Sequence, residues 1–317
     1  MSLRYLTVSL VLAQGRSWAP LLSSTTHTLS SLAASSPRLI SLDEALQLDT
    51  DSVQFVDGTW FHKGDRNGRL EFEQGPRIRG SIFFDLLQVS DTDSTNLWGM
   101  LPTPETLAAW MHEVQPEATL LVVYGREGSR FLPRVWFTLQ SMGVENVRLL
   151  QASMEEYAAA GGAMEEGTKS VSDLAVPLHE VESIASRLKK ADESVVTLST
   201  IESIVVGGNP DNAILIDARG SSFRKKGHMP GALHVPYSSL SDPPTKLKSP
   251  EELRKVFLDA GVDPLTVRPI VCTCGSGVSA CNVYLALQEC GRQGSTRVYD
   301  GSWQEYKKTA LPKVLPE

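Results

Sequence analysis

No cysteine precedes residue 272 in this 317-residue chain. The four present, Cys272, Cys274, Cys281 and Cys290, fall within about twenty residues of each other. A secreted disulfide framework spreads its bridges over a whole domain, so this clustering points instead to free thiols in a reducing compartment. No Cys-x-x-Cys pair occurs, and Cys-x-Cys followed by isolated cysteines is poor zinc spacing, so no metal is expected. Acidic residues are missing from Met1 to Ser41, where Arg4, Arg16 and Arg38 stand among abundant serine and threonine. That is the composition of an organellar transit peptide. The apolar stretch Leu6–Ala13 is too short to span a bilayer, although it fits the core of a secretory signal. Residues 1–37 are therefore expected to be a targeting or disordered segment. The expected destination is mitochondrial, with plastid or secretory routing as alternatives and a cytoplasmic location if the segment is no signal. A basic excess is also lacking. The net charge of -7 argues against a nucleic-acid partner held by bulk electrostatics. A small anionic substrate would need a local basic site.

What is present is an ordinary globular composition, 41% apolar and 21% charged, with enough length for two domains. The two halves repeat one order of signals. In the first, Val53–Asp57 is an apolar run ending in an acid, and Pro104–Val114 has helical spacing. Thr119–Tyr124 reads as a central strand, Gly125–Gly128 as a turn and Phe131–Met142 as a helix. In the second, Ala213–Asp217 is the strand ending in an acid and Ser249–Ala260 the helix. Pro269–Thr273 is the central strand, Cys274–Ser279 the turn, and Ala280–Cys290 the helix, stopped by Gly291. Strands alternating with helices imply an α/β fold, each domain a parallel sheet with helices on both faces. The expected division is residues 38–160 and 193–317 as domains, with 161–192 a wrapping linker.

The chemistry concentrates in Cys272-Thr273-Cys274-Gly275-Ser276-Gly277-Val278-Ser279-Ala280. A buried strand delivers Cys274 at its carboxyl end, two glycines let the backbone curl, and a helix begins at once. The amides of Gly275, Gly277, Val278 and Ser279 can face inward in such a curl and form an anion-binding nest. The helix N-terminus adds positive potential, so thiolate is favoured at Cys274. Cys281 and Cys290 read as helix core. Cys272 reads as strand core, with a resolving thiol as the alternative, since residues two apart share a face. A phosphatase-type loop would need a closing arginine, and none stands between Cys274 and Asn282.

The segment Cys274–Ser279 resembles the active loop of the tandem rhodanese family, in particular its mercaptopyruvate sulfurtransferases. Asp217-Ala218-Arg219, Gly227–Ala232, Tyr299–Tyr306, Asp57–Trp60, Phe83–Asp85 and Pro133–Trp136 fit the same pattern. The resemblance covers about residues 39–315 and implies two rhodanese domains, the first an inactive copy whose loop Tyr124–Gly128 has no cysteine. It implies an enzyme that takes sulfane sulfur from a small anionic donor as a Cys274 persulfide. The sulfur then passes to thioredoxin, a low-molecular-weight thiol or cyanide, with no cofactor. The neutral residues Gly275, Ser276 and Gly277 favour monoanionic 3-mercaptopyruvate over dianionic thiosulfate. The alternatives are a thiosulfate enzyme and a weakly catalytic sulfur-relay module. The resemblance gives Ser276 a proton-relay role and matches Asp65 to the acid of that relay. Arg77 stands where the family has a histidine. Phe223 stands where the family has an arginine for the substrate carboxylate, four residues after the one matching Arg219. Arg224, shifted by one, or Arg77 from the other domain is expected to replace it, with Arg219 nearby.

Overall fold

The computed structural model describes residues 21, 38–62, 64–189, 191–242 and 246–316. Apart from Leu21, the expected targeting segment lies outside the described residues. In the first half, β1 (Leu39–Ile40) leads to α1 (Leu42–Leu46), whose start Ser41 and Glu44 secure by a reciprocal capping box. Then follow β2 (Val53–Asp57), α2 (Gly68–Gln74), β3 (Arg77–Ile78), β4 (Ile82–Phe83) and α3 (Pro104–Met111). β5 (Leu120–Tyr124), α4 (Leu132–Ser141), β6 (Val147–Leu150) and α5 (Met154–Ala159) complete the layer. The connecting residues carry β7 (Met164–Glu165), which pairs antiparallel with β3, and α6 (Leu178–Ala185), which packs on α3. β7 and α6 of the expected linker thus lie against the first half.

The second half runs β8 (Val195–Val196), α7 (Leu198–Val205), β9 (Ile214–Asp217), α8 (Ser222–Lys225) and β10 (Leu233–His234). A small hairpin, β11 (Ser241–Asp242) and β12 (Lys246–Leu247), precedes α9 (Pro250–Asp259). β13 (Ile270–Thr273), α10 (Ala280–Glu289), β14 (Thr296–Tyr299) and α11 (Ser302–Tyr306) close the domain. Each half holds a five-stranded parallel sheet, ordered β1-β6-β5-β2-β4 and β10-β9-β13-β14-β8. Reversing the second list makes β13 the counterpart of β5 and β9 of β2, so the duplication extends to topology.

Every residue of β2 and β13 is buried, as strands covered on both faces require. The main hydrophobic cluster runs through both halves, from Val56 and Val123 to Ile216 and Leu285. α4 and α10, the helices that follow the two equivalent turns, pack on each other. There Tyr284 meets Phe137 edge-on at 4.9 Å. The two turns therefore lie at one seam.

Candidate active site

β13 is paired on both sides, with β9 and β14, and its last residue Thr273 is in register with Asp217. The chain leaves the sheet at Cys274 and enters α10 at Ala280. Between them Gly277 has φ +79°, and a Cβ there would lie 2.5 Å from Asp300 Oδ1. Only glycine fits that point. Ser302, itself at φ +50° and fully buried, holds the bend from behind. Its Oγ accepts the amides of Cys274 and Gly277, both at 3.0 Å, and donates to the Tyr299 carbonyl at 2.7 Å. The amides of Trp303 and Gln304 donate to the carbonyls of Cys274 and Gly275 at 3.0 and 2.9 Å.

This corrects one expectation. The Gly277 amide is turned back onto Ser302, so it is no part of an inward nest. The amides of Gly275, Ser276, Val278 and Ser279 have no protein acceptor among the described residues. The Ser276 hydroxyl likewise has no protein partner there. Cys274 is 1% exposed, and it lines a cavity of about 880 Å³ at the seam between the halves. The other cysteines are core. Burial pushes the Cys281 thiol up to about 12, against the opposing pull of Arg134. Burial also raises Cys290 to about 12, Arg254 opposing, and pushes Cys272 well up. None of these three lines the cavity.

The charged side chains lining the cavity with Cys274 are all basic: Arg130, Arg219, Lys226, Lys307 and Lys313. In a chain of net charge -7 this is the local basic site that an anion needs. Part of the wall is aromatic, with Trp60 tilted against Trp98 and Phe131 at 5.1 and 5.2 Å.

Three expected site residues lie elsewhere. Arg77 is 3% exposed in the first half, where it donates to Glu165 at 2.7 Å and to the carbonyls of Phe72 and Gly167. It was the partner of a glutamate 88 residues away, invisible to local reading. Arg224 is exposed on α8 and points outside the cavity lining, and Asp65 is exposed and outside it too. Arg219 does line the cavity, but Asp217 holds it through contacts of 3.0, 3.0 and 2.6 Å. Its Nη1 is buried without a hydrogen-bond partner among the described residues, and its guanidinium lies 4.8 Å from the centre of the Trp303 ring. Phe223 stacks between His228 and His234 at 3.9 and 4.3 Å, an aromatic sandwich where the family has an arginine. Sequence reading missed Lys226, Lys307 and Ser302. Lys226 ends the basic run Arg224-Lys225-Lys226, but which of the three faces inward depends on a helix of only four residues.

The model of the rhodanese-like domain matches this chain twice, over residues 44–160 and 205–309. The chain belongs to the rhodanese family of sulfurtransferases. Among the curated relatives of this rhodanese is the 3-mercaptopyruvate sulfurtransferase of Escherichia coli K12, 33% identical over 286 residues. That match covers 86% of this chain and 95% of the relative. The mouse (Mus musculus) thiosulfate sulfurtransferase is 29% identical, with 83% and 88% covered. The crystal structure of the Tum1 protein from Saccharomyces cerevisiae superimposes with a TM-score of 0.74 at 27% identity, covering 88% of this chain and 98% of that one.

Proposed function

We propose that this rhodanese moves sulfur from 3-mercaptopyruvate through a persulfide on Cys274. The observation that carries the reading is a cysteine at the end of a central strand, at a basic cavity, beside four amides without protein acceptors among the described residues. The Cys274 thiolate attacks the donor sulfur and the carbon–sulfur bond breaks. The bonding electron pair passes to the pyruvate enolate, which takes up a proton. The Ser276 hydroxyl is the group placed to relay it. An acceptor thiolate then attacks the outer sulfur and Cys274 leaves as thiolate. The free amides of Gly275, Ser276, Val278 and Ser279 stabilise the anionic sulfur in both steps. Lys226 takes the carboxylate-binding place first assigned to Arg224, as a point charge and not a fork.

The basic wall also suits a dianion, which keeps thiosulfate as the second donor. A thioredoxin or a low-molecular-weight thiol is the proposed acceptor, and a mitochondrial location follows from the acid-free first 41 residues. Intact mass measurement after incubation with 3-mercaptopyruvate tests the chemistry. The expected result is a gain of one sulfur that maps to Cys274 and vanishes in Cys274→Ala. A wild-type mass left unchanged by either donor ends the proposal.

A further inference from the structure

Arg134 belongs to α4, in the half without a cysteine, and is 2% exposed. Its guanidinium crosses the seam. Nη1 donates to Asp300 Oδ1 at 2.6 Å, and Nη2 to the Gly99 carbonyl at 2.7 Å. The second Asp300 oxygen accepts the Leu101 amide at 2.7 Å. Beside it, the Trp98 amide donates to Gln304 Oε1 at 3.2 Å, and Gln304 Nε2 donates to the Trp98 carbonyl at 2.8 Å. Asp300 itself is 6% exposed and abuts Gly277, as the 2.5 Å approach to a Cβ there shows. Arg134 Nη1 also stands 3.9 Å from Cys281 Sγ, which donates to the Gly277 carbonyl at 3.4 Å.

A buried carboxylate against the bend opposes any negative charge formed on the bend, because charges act strongly where water is excluded. A buried arginine paired with that carboxylate cancels most of its field. We infer that Arg134 is a positioning residue of the sulfur-transfer site: from the non-catalytic half it neutralises Asp300, so that the Cys274 bend faces a neutral pair and not a lone carboxylate. The inference rests on Cys274 being the nucleophile. It gives the cysteine-free domain an electrostatic task in the reaction of its partner domain.

The other titratable and charged groups facing the bend are Cys272 from β13, Cys281 from α10 and, around the cavity, His62, Tyr237 and the cations Arg130, Arg219, Lys226, Lys307 and Lys313. They are common to every variant below, so their influence cancels in the comparison. No covalent step is added to the reaction.

The test is the rate of persulfide formation against pH for the full chain and for Arg134→Met, Arg134→Lys, Asp300→Asn and the double Arg134→Met/Asp300→Asn variant. Arg134→Met is expected to lose at least tenfold in rate at pH 7 and to move the rising limb of the profile about one unit upward, since one unit is tenfold in equilibrium. The double variant and Arg134→Lys are expected to leave the limb where the wild type has it, and Asp300→Asn, which leaves Arg134 uncompensated, to move it downward, whatever they lose in rate. Equal rate loss in Arg134→Met and the double variant, with no displaced limb, overturns the inference and leaves Arg134 a mere tether. Should Arg134→Met not fold, a limb displaced upward in Arg134→Lys or in the double variant overturns it equally. Failure of the wild type to form a persulfide at all would instead sink the assignment of Cys274.

Discussion

Ser302 shows how few atoms hold the sulfur-bearing bend in shape. One hydroxyl oxygen serves two buried amides at once, and no other acceptor for them stands among the described residues. Losing it leaves both N–H groups unsatisfied, at about 1–3 kcal/mol each. Ser302→Ala is therefore expected to destabilise the fold by about 2–6 kcal/mol in denaturant titration, and to slow persulfide formation. Asp57 carries a different signature. Burial pushes its carboxyl up to about 6, against hydrogen bonds from Thr59 and the charge of Arg126. Its unfolded value is about 3.9, so the folded state holds the proton more tightly. Stability from this group is fully present below about pH 4 and is lost as pH rises toward 6. Asp57→Asn is expected to flatten that part of the stability-against-pH curve. A slope unchanged between pH 4 and 6 would contradict the assignment. Little of this was legible in the sequence. Both residues could be seen in family-like motifs, but their burial and partners could not.

The β13–bend–α10 unit is where sequence and structure agree best. An apolar run, two glycines and a helix stopped by Gly291 are local signals, and the strand and helix appear within a residue or two of the expected ends. The internal detail was less legible. Both glycines were read as allowing an inward curl, yet only Gly277 has a positive φ, and its amide turns outward to Ser302. Gly277→Ala is expected to cost about 1–2 kcal/mol in backbone strain alone, with the clash on Asp300 added. Its activity should fall far more than its melting temperature, because the bend shifts while the sheet remains. Activity within threefold of wild type would show that the bend tolerates a Cβ.

The two halves share one core, so they should unfold together. Tyr284 on α10 packs against Phe137 and Trp136 of α4 across the seam. Calorimetry is expected to show one transition for the wild type. Tyr284 is only partly buried, so Tyr284→Ala is expected to lose about 2–3 kcal/mol, below the range of fully buried aromatic truncations. Two well-separated transitions in the wild type would mean that the seam is weaker than its packing suggests.

The sequence by itself determined the repeated α/β order, the cysteine at the end of a central strand and the neutral turn after it. Each is written in a stretch of about ten residues, through hydrophobic period and backbone preference. Tertiary structure alone decided the company those residues keep. Arg134 meets Asp300 across 166 positions of chain, Arg77 is claimed by Glu165, and Lys226 turns into the cavity while Arg224 turns away. Such meetings depend on how two sheets pack on one core, and no local pattern carries that distance.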